Sequence, residues 1–279
     1  MHNNNVVLLT NNVDAPTRYN YEINFGWTRL YKNKWSIHET EGFGKYDCVF
    51  CISTFKRFTR EEMYKWHKLL SAYDAYKVLR AGDTCYCDWR HPFYEIWDWI
   101  LYRMPDKNGK YPENGSYLPW SIDPNKYRPS CEGKDIALVG TCNDAYPLRQ
   151  FLIYINDNYF IDKTNLDYEE YLQVLRDSRA VICTGNVSDP GTRAKALEAA
   201  ASGCVLITYP TEYLELYFKP VWDCLYIYDS KQSFIEQIKR VKDTDTLEQQ
   251  QRIAEHIRTH FNHERVINEY IPANCRPCN

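Results

Sequence analysis

The residues best able to do chemistry cluster in one stretch, Asp189-Pro190-Gly191-Thr192-Arg193-Ala194-Lys195-Ala196-Leu197-Glu198-Ala199-Ala200-Ala201-Ser202-Gly203. Arg193 and Lys195 sit near a helix start, and the Glu198 carboxylate follows two turns further in. Pro190 suits the first helical position, because the N–H it lacks would have no partner there. Asp189 can cap the exposed N–H groups behind it. A helix N-terminus opened by a glycine attracts anions, since its unpaired N–H groups and the positive end of its dipole point the same way. A second group lies earlier: Asp83, Asp88, Arg90 and His91 fall within nine residues. Histidine is the side chain suited to proton transfer near neutral pH, so His91 is the leading general-base candidate among them. Asp88 and Asp14 stand behind it.

The elements that must position these groups can be read from periodicity. Residues 194–201 are mostly good helix formers, Gly203 permits the left-handed turn that ends a helix, and the apolar run 204–207 fits a strand buried on both faces. Around this stretch the pattern predicts strands at Asp135–Gly140, 180–183 and 225–228. It predicts helices at 148–155, at 168–176 capped by Asp167, from Asp229 or Ser230 onward, at 246–260 and at 264–270. Tyr171, Leu172 and Leu175 share one face of the second of these helices. Strand and helix alternate at the length of a βαβ unit, which implies a parallel sheet covered on both faces.

The first half predicts strands at Val6–Thr10, 46–53 and 77–81 and a helix at 19–32, and leaves 35–39 unassigned. Thr59 and Glu62 form a capping box, followed by a core stripe of Met63, Trp66, Leu69, Leu70 and Tyr73. Residues 93–103 start as a helix, and 105–115 read as a polar loop. Loops at the carboxyl ends of such strands are where function sits, which draws attention to Asp83–His91. Three prolines between 119 and 129 mark an interdomain linker over about 119–132.

Composition narrows the function classes. The 279 residues suffice for one large domain or two ordinary ones. Net charge is −3 with no Lys/Arg tract, which argues against a dedicated nucleic-acid binder. The run Val6–Leu9 is too short for a secretory signal, and no window reaches the ~20 apolar residues of a membrane span. These features lead us to expect a soluble, cytoplasmic protein whose 11 cysteines are reduced and mostly buried, with no disulfide staple needed. Cys48 and Cys51, three apart on a strand, point to opposite faces and cannot easily share a metal. Cys275 and Cys278 have no second pair nearby in sequence, and a structural zinc asks for four ligands. The 24 Tyr and 8 Trp, many before residue 130, suit either core packing or stacking on sugars and bases.

Three motifs, in order, resemble one family. Tyr117-Leu118-Pro119-Trp120-Ser121-Ile122-Asp123 is similar to a linker of pattern YLPxGxD. Asp135–Gly140 followed by Tyr146-Pro147-Leu148-Arg149 is similar to DIxFxG…YPxR, and Lys195-Ala196-Leu197-Glu198-Ala199-Ala200-Ala201-Ser202-Gly203 to RxFEAxACG. The chain thus resembles the GT-B glycosyltransferases of group-1 type, nearest the CgeB-like (spore-maturation) subgroup, most strongly over residues 117–245.

The resemblance implies an α/β fold with two Rossmann-like domains whose parallel sheets face across a cleft. Residues 1–122 would be the acceptor side and 123–262 the nucleotide-sugar domain, with segment 263–279 packing back on the first. It implies that Glu198 bonds the ribose hydroxyls, as a carboxylate accepting from two vicinal OH groups can. Gly191 and Thr192 would face the diphosphate, with Arg193 and Lys195 as its cations, and Arg149, Gly140 and Thr141 would join the same donor site. Lys195 replaces the family's Arg and so loses the fork geometry. Pro190 stands where related chains often place another glutamate, and Thr10-Asn11-Asn12-Val13-Asp14 stands where a glycine pair is common. The implied reaction moves a hexosyl or pentosyl unit from a nucleotide sugar, UDP-sugar foremost, to a hydroxyl of a glycan or glycoconjugate, with no metal or further cofactor. Two other readings remain at this level. One is transfer to a hydroxymethylated base in DNA, gripped by Lys56, Arg57, Arg60, Lys65 and Lys68. The other is a non-catalytic protein that binds a nucleotide sugar or glycan.

Overall fold

Hydrogen bonding gathers the apolar runs into two all-parallel sheets, one in each of two units: Met1–Pro119 with His263–Asn279, and Trp120–Asn262. The computed structural model describes residues 5–10, 31–36, 39–53, 60–81, 90–103, 108–140, 142–144, 146–184, 194–211 and 213–276.

The first unit holds β1 (Val6–Thr10), β2 (Asn33–Ser36), β3 (Cys48–Ser53), β4 (Tyr76–Ala81), β5 (Trp99–Tyr102) and β6 (Gly115–Tyr117), in the order β2-β1-β3-β4-β5-β6. Alternate residues of a strand face opposite sides of its sheet. On β3, Cys48, Phe50 and Ile52 therefore join one core cluster, and Val49 and Cys51 the other. Helix α1 (Arg60–Ser71) buries Trp66 and Leu70 on the Val49 side. The opposite side is covered by the C-terminal helix α8 (His263–Tyr270), through Val266 and Ile267.

Several expectations change here. The stretch 93–103 contains only a 3-10 turn, Pro92–Tyr94, before becoming strand β5, because the aromatic and aliphatic run Trp99–Tyr102 pairs in register with β4. The end of the region read as a loop at 105–115 is an edge strand; a Cβ on Gly115 would overlap the Ile100 carbonyl oxygen, so only glycine allows that pairing. Strand β2, Asn33–Ser36, runs into the stretch left unassigned at 35–39. Most of the helix expected at 19–32 lies outside the described residues, as does the Thr59 cap. Tyr31, at its end, is buried and unhelical, donating its hydroxyl to the Cys275 carbonyl at 3.0 Å.

The expectation of reduced cysteines without a staple is corrected at one pair: Cys48 and Cys275 form a disulfide, with Cα atoms 5.7 Å apart. Cys48 faces the α8 side of the sheet, and the chain after α8 returns across that face. Cys51, Cys204 and Cys224 are free and buried.

The second unit holds β7 (Asp135–Gly140), β8 (Ile161–Thr164), β9 (Ser178–Cys183), β10 (Val205–Thr208) and β11 (Leu225–Ile227), in the order β11-β10-β9-β7-β8. Its helices are α2 (Pro147–Tyr154), α3 (Tyr168–Asp177), α4 (Ala194–Ala201), α5 (Leu214–Phe218), α6 (Lys231–Asp243) and α7 (Leu247–His260). Local chemistry explains their ends. Asp167 and Glu170 close a reciprocal capping box on α3, and Ser230 and Ser233 do so on α6. After α4, the Cys204 N–H bonds the Ala199 carbonyl and the Gly203 N–H the Ala200 carbonyl, with Gly203 at φ +86°. This pairing is a Schellman stop, and it turns the chain directly into β10. Ala196, Ala199, Ala200 and Ala201 are buried, so α4 lies close to its neighbours. Strand β8, an exposed edge with no apolar alternation, and the short α5 carry no clear periodic signal.

The linker is held by its own unit. Ile122 N–H donates to the Phe261 carbonyl at 2.9 Å, and Arg258 donates to the carbonyls of Pro124 and Tyr127. Among the described residues no helix is long and apolar enough to cross a membrane.

Candidate functional site

In the second sheet the chain order reverses between β7 and β9, the place where open α/β sheets bind ligands at their strands' carboxyl ends. Here β7 ends in Gly140, at φ +114°, a conformation L side chains rarely adopt. Asn165 braces the loop that follows: its N–H donates to the Gly140 carbonyl at 3.0 Å, and its Oδ1 accepts the Cys142 N–H at 3.1 Å.

Pro147 opens α2 and brings Arg149, in its first turn, over this loop. The guanidinium lies so close to Gly140 that an added Cβ would sit 2.9 Å from Nη1. It donates from Nη2 to Thr184 Oγ1 at 2.9 Å and stacks on the Tyr146 ring at 4.5 Å. Arg149 is only 5% exposed, yet a guanidinium keeps its charge, so it makes the pocket electropositive. A cavity opens beside it, lined by Cys183, Thr184, Lys195, Thr208 and Thr211.

Helix α4 supplies the other charges. Lys195 and Glu198 are three residues apart and share a face. Glu198 Oε2 accepts the Tyr171 hydroxyl at 2.6 Å, and Lys195 Nζ stands 5.7 Å from the centre of the same tyrosine ring. Burial, then the adjacent Glu198 charge, pushes the Tyr171 pKa well up, so this hydroxyl remains a donor at any physiological pH. Burial likewise pushes the Cys183 thiol up to about 12, against the opposing pull of Arg149 and Lys195, which leaves it inert as a nucleophile. The arrangement can bind an anionic group at Arg149 and Lys195, with a hydrogen-bond acceptor held alongside.

Four of the residues singled out by sequence therefore come together: Gly140, Arg149, Lys195 and Glu198. Asp14, Asp88, Thr141, Gly191, Thr192 and Arg193 lie outside the described residues, as do Lys56 and Arg57. His91, in the other unit, is an exposed N-cap: its Nδ1 accepts the Phe93 N–H at 3.2 Å. That bond puts the ring proton of the neutral imidazole on Nε2, so the second nitrogen is a donor rather than a base. Lys65 is paired with Glu61 at 2.9 Å on an exposed helix face. Sequence reasoning missed Tyr171, Thr184, Tyr146 and Asn165 as site residues. Tyr171 falls on the apolar face of its helix and reads as core, and Thr184 had one usable signal, its place just past a strand. Among the described residues no group of three or more His, Cys, Asp or Glu is placed to hold a metal.

Two parallel α/β units of this kind make a GT-B glycosyltransferase fold. The glycosyl transferase-like family matches residues 131–272, just over half of the chain, and the chain belongs to it. Solved structures agree in fold. AviGT4, a glycosyltransferase involved in avilamycin A biosynthesis, is 12% identical with a TM-score of 0.52, covering 94% of each chain. T4 phage BGT, in complex with its UDP-glucose substrate, is 9% identical with a TM-score of 0.53, covering 91% of this chain and 95% of that one. Sucrose-phosphate synthase from Thermosynechococcus elongatus is 11% identical with a TM-score of 0.54, covering 79% and 71%. No curated protein matches the sequence.

Proposed function

We propose that this chain transfers a hexosyl or pentosyl unit from a nucleotide sugar, a UDP-sugar foremost, to a hydroxyl of a glycan or glycoconjugate. By its three motifs we place it nearest the CgeB-like subgroup. The observation that carries the reading is the grouping of Arg149, Lys195 and Glu198 at the reversal point of the second sheet. In this reading Glu198 accepts from the two ribose hydroxyls. Arg149 and Lys195 receive the diphosphate, together with Gly140, Thr141, Arg193 and the N–H groups of Gly191 and Thr192. As the sugar–phosphate bond breaks, negative charge builds on the departing diphosphate, and cations fixed in advance lower that barrier. A UDP-sugar bound by T4 phage BGT, a protein of the same fold, supports the choice of nucleotide. We assign the acceptor's base to Asp88 or Asp14 ahead of His91, whose Nδ1 is engaged as a cap. The pairing of Lys65 with Glu61 favours a solvated helix face over a DNA grip, so a glycan hydroxyl is the preferred acceptor.

The test is a donor screen: incubation with a panel of UDP-, GDP- and ADP-sugars, with detection of released nucleotide. Release from a UDP-sugar is expected. Glu198→Ala should weaken UDP binding by about 1–3 kcal/mol, the range for a hydrogen bond to a charged group. Tight binding without release would favour the non-catalytic reading, and equal UDP affinity in wild type and Glu198→Ala would remove Glu198 from the site.

A further inference from the structure

Glu198 is one residue on a short helix, and a carboxylate on a flexible stem can turn away from a diol as easily as toward it. In this fold it does not stand alone. Tyr171 reaches from α3 to α4 and meets it, hydroxyl to Oε2 at 2.6 Å. Leu172 and Leu175, on the same helix, are buried, which holds α3 in place. The α4 backbone is equally constrained, with buried alanines on one side and the Schellman stop at Gly203 on the other. Both partners of this hydrogen bond therefore start from rigid elements.

We propose that Tyr171 is a positioning residue for donor binding, a fixed hydroxyl donor that orients the Glu198 carboxylate toward the ribose diol. This rests on the reading of Glu198 given above. The chemistry fits the assignment. An ionised carboxylate has about four lone-pair sites, and the bond from Tyr171 occupies one of them. The tyrosine stays protonated, because both its burial and the neighbouring negative charge oppose ionisation. Its hydroxyl therefore donates to the carboxylate, and its ring is also the surface over which Lys195 stands at 5.7 Å. A single side chain thus sets the orientation of the ribose acceptor and the path of a diphosphate cation. None of the three family motifs includes it: they lie in the linker, on β7 and α2, and on α4, while Tyr171 lies on α3.

The experiment compares UDP with 2′-deoxy-UDP in four proteins: wild type, Tyr171→Phe, Glu198→Ala and the double variant. Phenylalanine keeps the ring beneath Lys195 and deletes only the hydroxyl, so thermal unfolding should show a folded protein. Wild type should prefer UDP over its deoxy analogue. In Tyr171→Phe, UDP affinity should fall about tenfold, the size of one lost hydrogen bond to a charged group, while 2′-deoxy-UDP affinity changes far less. In the double variant the tyrosine substitution should add nothing to the loss caused by Glu198→Ala, because the hydroxyl acts only through that carboxylate. A merely structural tyrosine would weaken both nucleotides alike and in both backgrounds, and that result overturns the proposal. Retention of the full wild-type preference in Tyr171→Phe, alongside its loss in Glu198→Ala, also overturns it while sparing the reading of Glu198. If wild type does not discriminate the two nucleotides, or Glu198→Ala leaves UDP binding intact, that reading falls and the proposal with it.

Discussion

Gly140→Ala is the substitution most tightly constrained by the geometry. Two costs can be worked out separately. The backbone sits at φ +114°, and forcing an L side chain into such a region costs about 1–3 kcal/mol. The new Cβ would also lie 2.9 Å from Arg149 Nη1 and 3.0 Å from its Cζ, closer than real Cβ atoms approach. An arginine tip normally yields cheaply, but this one is buried, bonded to Thr184 at 2.9 Å and stacked on Tyr146. Displacing it breaks a charge-assisted hydrogen bond of a buried side chain, a further ~1.5–3 kcal/mol. The expected total is about 2.5–6 kcal/mol of folding stability, read by urea denaturation with unchanged m-value. UDP binding should weaken as well. In an Arg149→Met background the second cost should disappear, leaving about 1–3 kcal/mol. Equal destabilisation by Gly140→Ala in both backgrounds would show that glycine and guanidinium are not coupled, and the account of this pocket would be wrong.

Two further substitutions address the first unit. His91→Ala should cost about 1 kcal/mol or less, as loss of a cap, and leave turnover within about threefold; a fall of about 10²–10⁴ in turnover would instead make His91 the base. Peptide mapping of protein alkylated before digestion, without reductant, should recover Cys48 joined to Cys275. Cys275→Ser should lower stability by up to about 5 kcal/mol, the loop-closure value for a separation of 227 residues. Recovery of both cysteines as free, alkylated thiols would refute the pairing.

Features carried by local chemistry were legible in the sequence. Gly203 signalled the end of α4 because helix formers, a left-handed residue and an apolar strand follow one another without a gap. The opposed faces of Cys48 and Cys51 follow from strand period alone. The Asp167 cap and the reversal of Ser230 into α6 were visible for the same reason. What stayed hidden depends on contacts between distant residues. The Cys48–Cys275 bond joins residues 227 apart in sequence that only the tertiary fold brings together. Strand β5 hid in an aromatic run that suits either helix or sheet until β4 offers it a partner. Within the site, charged residues on α4 stood out, while Tyr171 was invisible because a tyrosine on an apolar helix face looks like packing. His91 was legible as a titratable group but not as a cap, since that role depends on the turn begun by Pro92.

The cover that α8 and the turn Ala273–Cys275 provide for the first sheet has a consequence for how the chain is made. Val266, Ile267, Ile271 and Cys275 lie against Val6, Leu8, Phe50 and Val78, residues synthesised well before them. Domains generally fold as they leave the ribosome, the N-terminal one first. Here the Trp120–Asn262 unit is complete while β1, β3 and β4 still lack, on one face, the cover that residues 266–275 supply. Contacts of such long sequence separation also form slowly. Ribosome stalling between residues 262 and 275 would therefore yield a chain with an intact Trp120–Asn262 unit and an exposed apolar sheet, a natural target for chaperones and proteases.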